Sequence, residues 1–385
     1  MKNCMVMVGL AAALLAGCQS HDKLEIVVNN PSEMARYGKV MEISADSVLN
    51  SLGSKYCYVT DAAGNEVPSQ VTYDSRLIFP VSQSDKESAV YYVVPSDTLH
   101  TYEPVVAGRF YPERADDVAW ENDKVGFRIY GPATQAKGER SFGYDIFFKY
   151  QDKGLVLERL YEPETNPATW VKRDSLAAID PALADEFVKS FSYHLDHGLG
   201  MDCYAVGPTL GDGVAAILDN DTISYPWCYS KGEVLDNGPL RFTVSLDFAP
   251  RVIGNDTVTE HRIVSLDAGS HLNHCTVWYD GLSSDRDLVV GFPLRDESSV
   301  MADKELGVLA YADPTQGPDN GKALLGIVAD MPAVETMERD GHALLKFNLH
   351  PGKPFMYQWG FAWDRTDIPD LESWVDYLKS GKNYR

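Results

Sequence analysis

Short apolar runs, rich in β-branched and aromatic side chains, recur along the chain at the spacing of strands and turns. Near the N-terminus such runs occupy residues 24–28, 55–60, 75–81 and 88–94. They are separated by NNP, AAGNE and SQSDK, which contain the residues typical of tight turns. The pattern predicts a small β-sandwich domain over residues 22–105.

The same pattern continues to the C-terminus. The later strand-like runs are FGYDIFFKY, DGVAAILDN, RFTVSLDF, EHRIVSLDAG, CTVWYDG, DLVVGFPL, KALLGIVAD and PFMYQWGFAWD. Helical spacing of apolar residues is convincing only over residues 175–191 and in the tail DIPDLESWVDYLKS. In the tail, Asp367 or Asp370 is suited to cap the helix.

The charged, proline-bearing segment 111–123 is the best candidate for a domain boundary. Residues 113–385 are then expected to form the catalytic domain, a large antiparallel β-sandwich. The complete expectation is an all-β fold, in which a small N-terminal β-sandwich precedes a large sandwich of the supersandwich, galactose-mutarotase-like kind.

The N-terminus has the organisation of an export signal. Lys2 supplies a positive start, residues 6–15 are apolar, and the letters LAG form a small-residue cleavage site directly before Cys18. This resembles a bacterial lipobox, so residues 1–17 are expected to be a lipoprotein signal peptide and Cys18 to carry the lipid. The apolar segment is too short to span a bilayer as a helix. We expect a lipid-anchored protein, periplasmic or on the outer-membrane surface; an ordinary secretory signal is the alternative.

The charge balance restricts the partners. The 385 residues include 34 basic and 56 acidic side chains, which gives a formal net charge of −22 at pH 7. Such a surface repels nucleic acid and anionic lipid, so we expect no nucleic-acid partner and no membrane contact except through the lipid anchor. An anionic substrate would need a local pocket that contains basic residues or a metal ion.

Four cysteines remain besides Cys18 and the one in the signal segment: Cys57, Cys203, Cys228 and Cys275. An even number in an exported protein permits disulfides, but the spacing is unlike that of a dense disulfide framework. Free, partly buried thiols are therefore expected ahead of two bridges. Cys203–Cys228 and Cys203–Cys275 are the pairings to test first.

The stretch SYHLDHGLGMDCYAVGPTLG, residues 192–211, concentrates groups that can transfer protons or bind metal. His194 and His197 are three residues apart, but the glycines that follow argue against a helix, so a loop at the rim of a cleft is expected. In one hypothesis, His194 or His197 is a general acid or base, and Asp196 or Asp202 fixes its tautomer.

A second pair, His271 and His274 in GSHLNHC, leads to a different hypothesis. Histidines from both pairs would bind a divalent metal such as zinc or calcium, which would neutralise an acidic substrate. No HExxH or paired-cysteine motif strengthens this idea. In the third hypothesis, all these histidines are polar turn residues that donate to backbone carbonyls.

Aromatic and basic residues form a second group of candidates. Arginine forks hold carboxylates or sulfates, and flat rings stack on the apolar faces of sugars. The predicted substrate-binding residues are Trp120, Arg128, Arg140, Trp227 and Arg365. The predicted catalytic residues are His194, His197, Asp196, Tyr193 and Tyr144. About half of the aromatic residues in these segments are expected to lie in the core.

Several reaction classes lack their motifs. The sequence contains no GxSxG elbow, no Walker loop and no Rossmann fingerprint between a strand and a helix. GPTLGDG, residues 207–213, is rich in glycine, but its strand-like surroundings and lack of a basic partner are unlike a phosphate-binding loop. A pair of carboxylates for glycoside hydrolysis stays open, because the acidic residues are too numerous to single out two of them.

Long phrases of the sequence resemble a known family. The lipobox, AWENDKVGFRIYGP, YHLDHGLGMDCYAVGPTLG, PTQGPDNGKALLGIVAD and FMYQWGFAWDR resemble the DUF4861 family of domains of unknown function, most clearly over residues 118–364. The resemblance implies a lipoprotein of Bacteroidota polysaccharide-utilisation loci that acts on acidic plant or algal glycans. Members have been linked to the removal of water from a terminal uronic acid, which gives an unsaturated sugar. The resemblance implies no particular catalytic residue.

Chemistry and resemblance together give one expectation and two alternatives. Removal of the C5 proton of a uronate requires a neutralised carboxylate, a base for the proton and an acid for the leaving oxygen. We expect an enzyme of the carbon–oxygen lyase class, a dehydratase or a polysaccharide lyase, that acts on uronate-containing oligosaccharides. The alternatives are a glycoside hydrolase that uses two carboxylates and a non-catalytic glycan-binding lipoprotein.

Overall fold

The computed structural model describes residues 22–30, 36–83, 87–295, 300–317 and 319–382. Within these ranges strands dominate, and the strands of all five sheets pair in antiparallel fashion. No helix in the described ranges is both long and apolar enough to cross a membrane. The predicted signal segment 1–17 and Cys18 lie outside the described residues. The prediction of an all-β sandwich fold is confirmed.

The N-terminal strands form a small sandwich with its own core. Its elements are β1 (Leu24–Asn29), β2 (Arg36–Ser44), α1 (Ala45–Leu52), β3 (Tyr56–Asp61), β4 (Glu66–Val67), β5 (Gln70–Val71), β6 (Arg76–Gln83) and β7 (Ser88–Ser96). One sheet has the order β1-β7-β3-β4 and the other β2-β6-β5. Alternating apolar residues of these strands, such as Ile26, Val59, Phe79 and Val93, pack in one cluster between the sheets.

A five-stranded sheet follows, with several helices in its connections. Its strands are β8 (Ala107–Tyr111), β9 (Asp117–Glu121), β10 (Gly126–Ile129), β11 (Asp145–Lys149) and β12 (Gly200–Met201), in the order β12-β11-β10-β9-β8. The helices are α2 (Pro132–Ala136), α3 (Leu157–Thr165), α4 (Pro167–Ala177) and α5 (Pro181–Lys189), with 3-10 turns at Pro112–Arg114 and Gln151–Lys153. Every residue of β9, β10 and β11 is buried, because α3 covers one face and the main core the other.

The remaining strands form the other two sheets of the main sandwich. They are β13 (Ala215–Asp219), β14 (Thr222–Ser224), β15 (Tyr229–Asn237), β16 (Arg241–Phe248), β17 (Arg251–Ile253), β18 (Asp256–Asp267), β19 (Leu272–Asp280), β20 (Arg286–Pro293), β21 (Val300–Asp303), β22 (Val308–Asp313), β23 (Ala323–Ala329), β24 (Glu335–Arg339), β25 (His342–Leu349) and β26 (Phe355–Trp363). One sheet has the order β14-β13-β20-β25-β24. The nine-stranded sheet has the order β15-β16-β18-β19-β26-β23-β22-β21, and β17 pairs with β18. The C-terminal helix is α6 (Leu371–Lys382).

A single large hydrophobic core joins the three sheets of the main sandwich. Trp359 of β26 stacks on Tyr144, with ring centroids 3.7 Å apart, and meets Trp120 and Phe127 edge to face. Such aromatic pairs add to the stabilisation that comes from burying their area. The aromatic residues before and within β9, β10 and β11 therefore anchor the five-stranded sheet to the nine-stranded one.

The prediction of one continuous helix over residues 175–191 is wrong. α4 ends at Ala177, and α5 begins at Pro181 with Asp180 as its N-terminal cap. Proline has no N–H to donate to the preceding turn, so it starts a helix readily but does not continue one. Apolar residues on both sides of the break still meet, since Trp170 of α4 packs edge to face on Phe191 after α5 with ring centroids 6.1 Å apart.

The predicted C-terminal helix is confirmed. Asp370 caps α6, because its Oδ1 accepts a hydrogen bond of 2.8 Å from the backbone N–H of Ser373. Asp367, the other candidate cap, instead contacts the ring of His271 at 3.0 Å. Helices α1, α2 and α3 were not predicted.

The division into residues 22–105 and 113–385 stays a prediction. The structure shows that segment 111–123, the expected boundary, contains the end of β8 and all of β9. These two strands pair along their length from Ala107 to Tyr111. The segment is therefore part of a sheet.

The four cysteines beyond the signal segment are free thiols. Burial raises the pKa of Cys57 and Cys275 to about 11 and that of Cys203 to about 12. Because the thiolate is the reactive form, these groups act as packing residues rather than nucleophiles near neutral pH.

The chain before β11 approaches the turn at residues 210–213 very closely. Tyr144 and Gly211 form a parallel bridge, and the Tyr144 carbonyl accepts a hydrogen bond of 2.9 Å from Asp212. A Cβ atom on Gly143 would lie 2.1 Å from the backbone nitrogen of Gly211. Only glycine permits this approach of two backbones.

Gly143→Ala is expected to lower the free energy of unfolding by about 1–3 kcal/mol, because the added methyl group must push the two backbones apart. Urea unfolding followed by circular dichroism measures the loss. Gly126→Ala in β10 is the control, since its Cβ would meet a side-chain atom of Phe147 at 3.1 Å rather than backbone. Unchanged stability of Gly143→Ala would contradict the close approach.

Candidate functional site

A cleft of about 350 Å³ opens beside the edge strand β12. Its lining includes Arg114, Arg128, Arg140, His194 and Asp202, and we call it the arginine cleft. These residues come from separate parts of the chain: the turn after β8, the strand β10, the segment after α2, and the two sides of β12. The fold therefore brings together three of the residues predicted from the sequence, Arg128, Arg140 and His194.

The guanidinium of Arg128 is buried and bonded on several sides. Its Nε donates to Asp145 Oδ2 at 2.9 Å, and its Nη2 donates to Asp202 Oδ2 at 2.8 Å and also to Asp145. The hydroxyl of Tyr130 lies 3.0 Å from Nη2 and that of Tyr193 lies 3.4 Å from Nη1. Arg128 and Asp145 stand directly opposite each other on β10 and β11, so the strand register itself forms the pair.

Two buried carboxyl groups have raised pKa values: Asp202, which lines the cleft, and Asp117, which lies 3.6 Å from Arg114. Burial and the charge of Asp145 raise the pKa of Asp202 to about 6, against the opposing effect of Arg128. Burial also raises the pKa of Asp117 to about 6, although Arg128 and Arg114 act to lower it. Both carboxyl groups are suited to exchange protons near neutral pH.

A third carboxyl group, Asp212, lies in the turn that precedes β13. It is fully buried, and neither of its oxygens has a hydrogen-bond partner among the described residues. Burial, with the nearby charges of Asp313 and Asp145, raises the pKa of Asp212 well above its ordinary range. Those two neighbours are held by Arg295 and Arg128, whereas none of the described residues forms an ion pair with Asp212. These surroundings favour the protonated form of Asp212.

His194 stands at the mouth of the cleft, with 56% of its side chain exposed. Its Nδ1 lies 3.1 Å from the backbone carbonyl of Asp202 and 3.6 Å from Oδ2 of the same residue. Because a carbonyl oxygen can only accept, we assign the hydrogen to Nδ1, which leaves the lone pair on Nε2. The arrangement suits a general base whose tautomer is fixed by Asp202.

Asp196 has a structural place instead. Its Oδ1 accepts hydrogen bonds from the N–H groups of Gly198 at 2.8 Å and Gly200 at 3.3 Å, and its Oδ2 accepts from the Tyr150 hydroxyl at 2.7 Å. Both glycines have positive φ, which explains why the HxxH spacing forms a loop and not a helix. His197 is exposed on this loop and does not line the arginine cleft. Of the two aspartates predicted to fix the tautomer of His194, Asp202 contacts its ring, whereas Asp196 holds the loop.

The two candidate tyrosines are both buried. Tyr193 lies behind the cleft, where its hydroxyl accepts hydrogen bonds from Arg114 at 2.9 and 3.1 Å. Tyr144 lies in the main core between Trp359 and Cys275, and burial raises its pKa well above the ordinary range. The prediction of a catalytic Tyr144 is therefore wrong, because a substrate in the arginine cleft cannot reach it.

The predicted sugar-binding residues other than Arg128 lie in different parts of the structure. Arg140 is exposed and lines the cleft, and Trp227 is 52% exposed on the segment between β14 and β15. Trp120 is wrong as a sugar-binding residue, since it is fully buried and donates to Asn273 Oδ1 at 2.8 Å. Arg365 is exposed but does not line the cleft; it lies against Trp363 and donates to the Asp319 carbonyl.

The histidines predicted to share a metal are not brought to one place. His271 is buried, with Nδ1 3.1 Å from the Phe361 carbonyl and Nε2 3.0 Å from Asp367 Oδ1, so both ring nitrogens are engaged. His274 lines a separate cavity of about 630 Å³ between β2 and the nine-stranded sheet. Across the described ranges, no three His, Cys, Asp or Glu side chains are placed to hold a metal. These placements do not fit a zinc or calcium site shared by the two pairs, and a cofactor requirement stays a prediction.

Sequence reasoning missed Arg114 and Asp145, which complete the charged surroundings of Arg128. Arg114 falls in the segment that the sequence predicts to be a domain boundary, and it lies 3.6 Å from the Asp117 carboxylate. Asp145 could have been found only by aligning two strands that are seventeen positions apart at these residues. The sequence contains one signal: Arg128 and Tyr130 are two positions apart, as residues on the same face of a strand are.

Comparisons with known proteins show which family the chain belongs to. A family model described as "Domain of unknown function (DUF4861)" matches residues 28–383. The "Uncharacterized protein P7" of Formosa agariphila is 25% identical over 405 aligned positions, which cover 98% of this chain and 96% of that protein.

Two solved structures from Enterococcus faecalis share the architecture. An alpha-mannosidase of strain V583 superposes with a TM-score of 0.50 at 8% identity, and a glycosyl hydrolase family 38 protein with 0.52 at 10%. The matches cover 94% and 95% of this chain but 45% and 47% of those proteins, so the chain spans less than half their length. At this level of identity the likeness shows the fold alone.

Asp202→Asn is expected to change how stability depends on pH. Because the pKa of Asp202 is raised to about 6 by folding, the folded protein binds more protons at this site than the unfolded chain. The contribution of Asp202 to stability is therefore lost as pH rises. The stability of Asp202→Asn relative to the natural protein should increase by about 3 kcal/mol from about pH 4 to about pH 7.

Urea unfolding of both proteins across this pH range measures the difference. Asp117 contributes to both proteins, so its effect largely cancels in the comparison. Asp221→Asn is the control, because 81% of that side chain is already exposed, and its difference from the natural protein should stay constant. A constant difference for Asp202→Asn would contradict the assigned proton affinity.

Proposed function

Since the chain belongs to the DUF4861 family, whose description assigns no function, we propose one from the site. The protein is an enzyme that acts on uronate-containing oligosaccharides by β-elimination in the arginine cleft. It removes water or an alkoxide and leaves an unsaturated uronic acid. The observation that carries the proposal is a cleft that combines three arginines with an imidazole whose Nε2 is open.

The charge distribution supports an acidic ligand. Arg128 is neutralised by Asp145 and Asp202, and Arg114 faces Asp117. Arg140 forms no ion pair or hydrogen bond to another described side chain, so its charge is available to a ligand. Glu139 and Asp202 also line the cleft, but Arg140 is a cation without a partner of this kind on a protein with a net charge of −22, and it attracts an anion to this place.

The same residues supply the steps of an elimination. Arg140 pairs with the uronate carboxylate and stabilises the negative charge that develops as the C5 proton leaves. Nε2 of His194 takes that proton, and the C5–H electron pair forms the new double bond to C4. Asp202 in its protonated form donates its proton to the oxygen that departs from C4. A pKa of about 6 for Asp202 leaves part of it protonated near neutral pH.

The likeness in fold supports a carbohydrate as the substrate class. The two structural neighbours are named as a mannosidase and as a glycosyl hydrolase family 38 protein. They share the fold of this chain, but their sequences are only 8% and 10% identical to it. The choice of elimination over hydrolysis rests on the arginines and on His194.

His194→Ala is expected to lower kcat by about 100-fold or more, because the loss of a general base typically costs that much. The assay follows the ultraviolet absorbance of the unsaturated uronate when purified protein is mixed with a panel of acidic oligosaccharides. His350→Ala is the matched control, since His350 is also an exposed histidine beside an aspartate, with 59% of its side chain exposed. It should keep full activity.

Other outcomes separate the alternatives. Release of reducing sugar without ultraviolet absorbance would replace elimination by glycoside hydrolysis. Tight binding of an intact glycan without turnover would identify a binding lipoprotein. Equal activity of His194→Ala and the natural protein would remove His194 from the mechanism.

We also propose that Cys18 is lipidated and anchors the protein in a membrane, on the periplasmic side or at the outer surface. The support is the lipobox-like sequence LAGC. A lipid at this position would hold the enzyme where oligosaccharides enter the cell.

Cys18→Ser is expected to abolish incorporation of a labelled fatty acid and to move the protein from the membrane fraction to the soluble fraction. The measurement is fractionation of cells of a bacterium that processes lipoproteins. Cys4→Ser is the matched control, because Cys4 belongs to the segment that is removed, and it should leave labelling unchanged. Labelling of Cys18→Ser at the natural level would contradict lipidation at this residue.

A further inference from the structure

An aromatic surface lies beside the rim of the arginine cleft. Among the large apolar side chains of the described residues that are exposed, Trp227 is the most exposed aromatic one, at 52%. Its ring packs against Phe142 with centroids 6.0 Å apart, and Phe142 stacks on Tyr225 at 5.4 Å with 25° between the planes. We call Trp227, Phe142 and Tyr225 the aromatic platform.

The platform is joined to the cleft through the chain itself. Arg140 and Ser141 line the cleft, and Phe142 is the next residue. Consecutive Cα atoms are 3.8 Å apart, so the Cα atoms of Arg140 and Phe142 are at most about 7.6 Å apart. Phe142, the first residue of the platform, therefore lies next to the cleft.

The segment before Trp227 is held by hydrogen bonds from the side chain of Arg251 to backbone carbonyls. Arg251 Nη1 donates to the carbonyls of Ser224 at 3.1 Å and Tyr225 at 2.5 Å, and Arg251 Nη2 is held by Glu260 at 3.0 Å. These contacts do not use the indole of Trp227, whose Nε1 has no hydrogen-bond partner in the part of the chain that the structure describes. A ring that is held in place before a ligand arrives loses little freedom on binding.

The chemistry of the platform suits the face of a sugar ring that carries no charge. An indole stacks on the C–H groups of a pyranose, and its free N–H can donate to a hydroxyl. Asp340 lies next to this segment, where its Oδ2 accepts a hydrogen bond of 3.4 Å from the backbone N–H of Ile223, and burial together with its charge raises the pKa of Tyr225. Arg251, the cation that contacts the same segment, is paired with Glu260. The Asp340 carboxylate therefore disfavours a second carboxylate at the platform.

We propose that the aromatic platform is a second subsite, which binds an uncharged sugar ring next to the acidic ring held in the arginine cleft. The inference rests on the proposed function for the position of the acidic ring. It defines the substrate more narrowly, as an oligosaccharide in which a uronate is linked to a neutral sugar. A disaccharide of this kind is the smallest ligand that uses both subsites.

Binding is measured by calorimetry with His194→Ala as the parent protein, so that turnover does not interfere. The probes are glucuronic acid, aldobiouronic acids in which glucuronic acid is linked to xylose, galactose or mannose, and digalacturonic acid. Trp227→Ala in this parent should weaken the best aldobiouronic acid by about tenfold, the effect of losing one stacked ring. It should leave the affinity for glucuronic acid unchanged, and digalacturonic acid should bind less tightly to the parent than the best aldobiouronic acid.

Two further variants test the stacking. Trp227→Phe keeps an aromatic face and should retain most of the affinity for the aldobiouronic acid. Tyr73→Ala is the matched control, because Tyr73 is similarly exposed at 48% but is part of the N-terminal sandwich, and it should have no effect.

The proposal is overturned if Trp227→Ala binds every aldobiouronic acid as tightly as the parent, or if it weakens glucuronic acid equally. A loss for Trp227→Phe as large as that for Trp227→Ala would also exclude stacking. Failure of the proposed function has a different pattern: Arg140→Ala would then leave aldobiouronic acid binding unchanged, while a Trp227→Ala loss would still locate a neutral sugar on the platform. No binding of any aldobiouronic acid to the parent would overturn both.

Discussion

The arginine cleft depends on one buried charge, the guanidinium of Arg128. A cation taken out of water is costly unless anions replace the lost hydration, and here Asp145 of the neighbouring strand and Asp202 after β12 do so. A second buried pair, Lys149 with Glu121, lies in the same sheet, and Glu121 also accepts the first N–H groups of α3. The strands that carry the cleft are therefore held in register by charges that cannot be separated cheaply.

The fold was predictable where one face of a strand meets solvent. In β16 the apolar residues Phe242, Val244, Leu246 and Phe248 are buried and alternate with the polar residues of the strand. Residues of the candidate site were predictable in loops, where a histidine or an arginine has few structural roles. His194 and Arg140 are polar residues next to glycine-rich turns, and both line the cleft.

Prediction failed where burial removes the alternation. Because every residue of β9 and β11 is buried, the sequence gives no sign that Trp120 and Tyr144 belong to the core rather than to a binding face. The partnership of Arg128 with Asp145 depends on strand register, which single-strand patterns do not contain. The break at Pro181 shows the same limit in helices, since apolar spacing can continue across two separate elements.

Buried carboxyl groups change how many protons the folded protein holds. Asp212 is buried near the charges of Asp313 and Asp145, and its pKa is raised. Burial also raises the pKa of Asp202 and that of Asp117 to about 6. Unfolding between about pH 4 and about pH 6 must therefore release protons, so its measured heat includes the heat of ionising the buffer that takes them up.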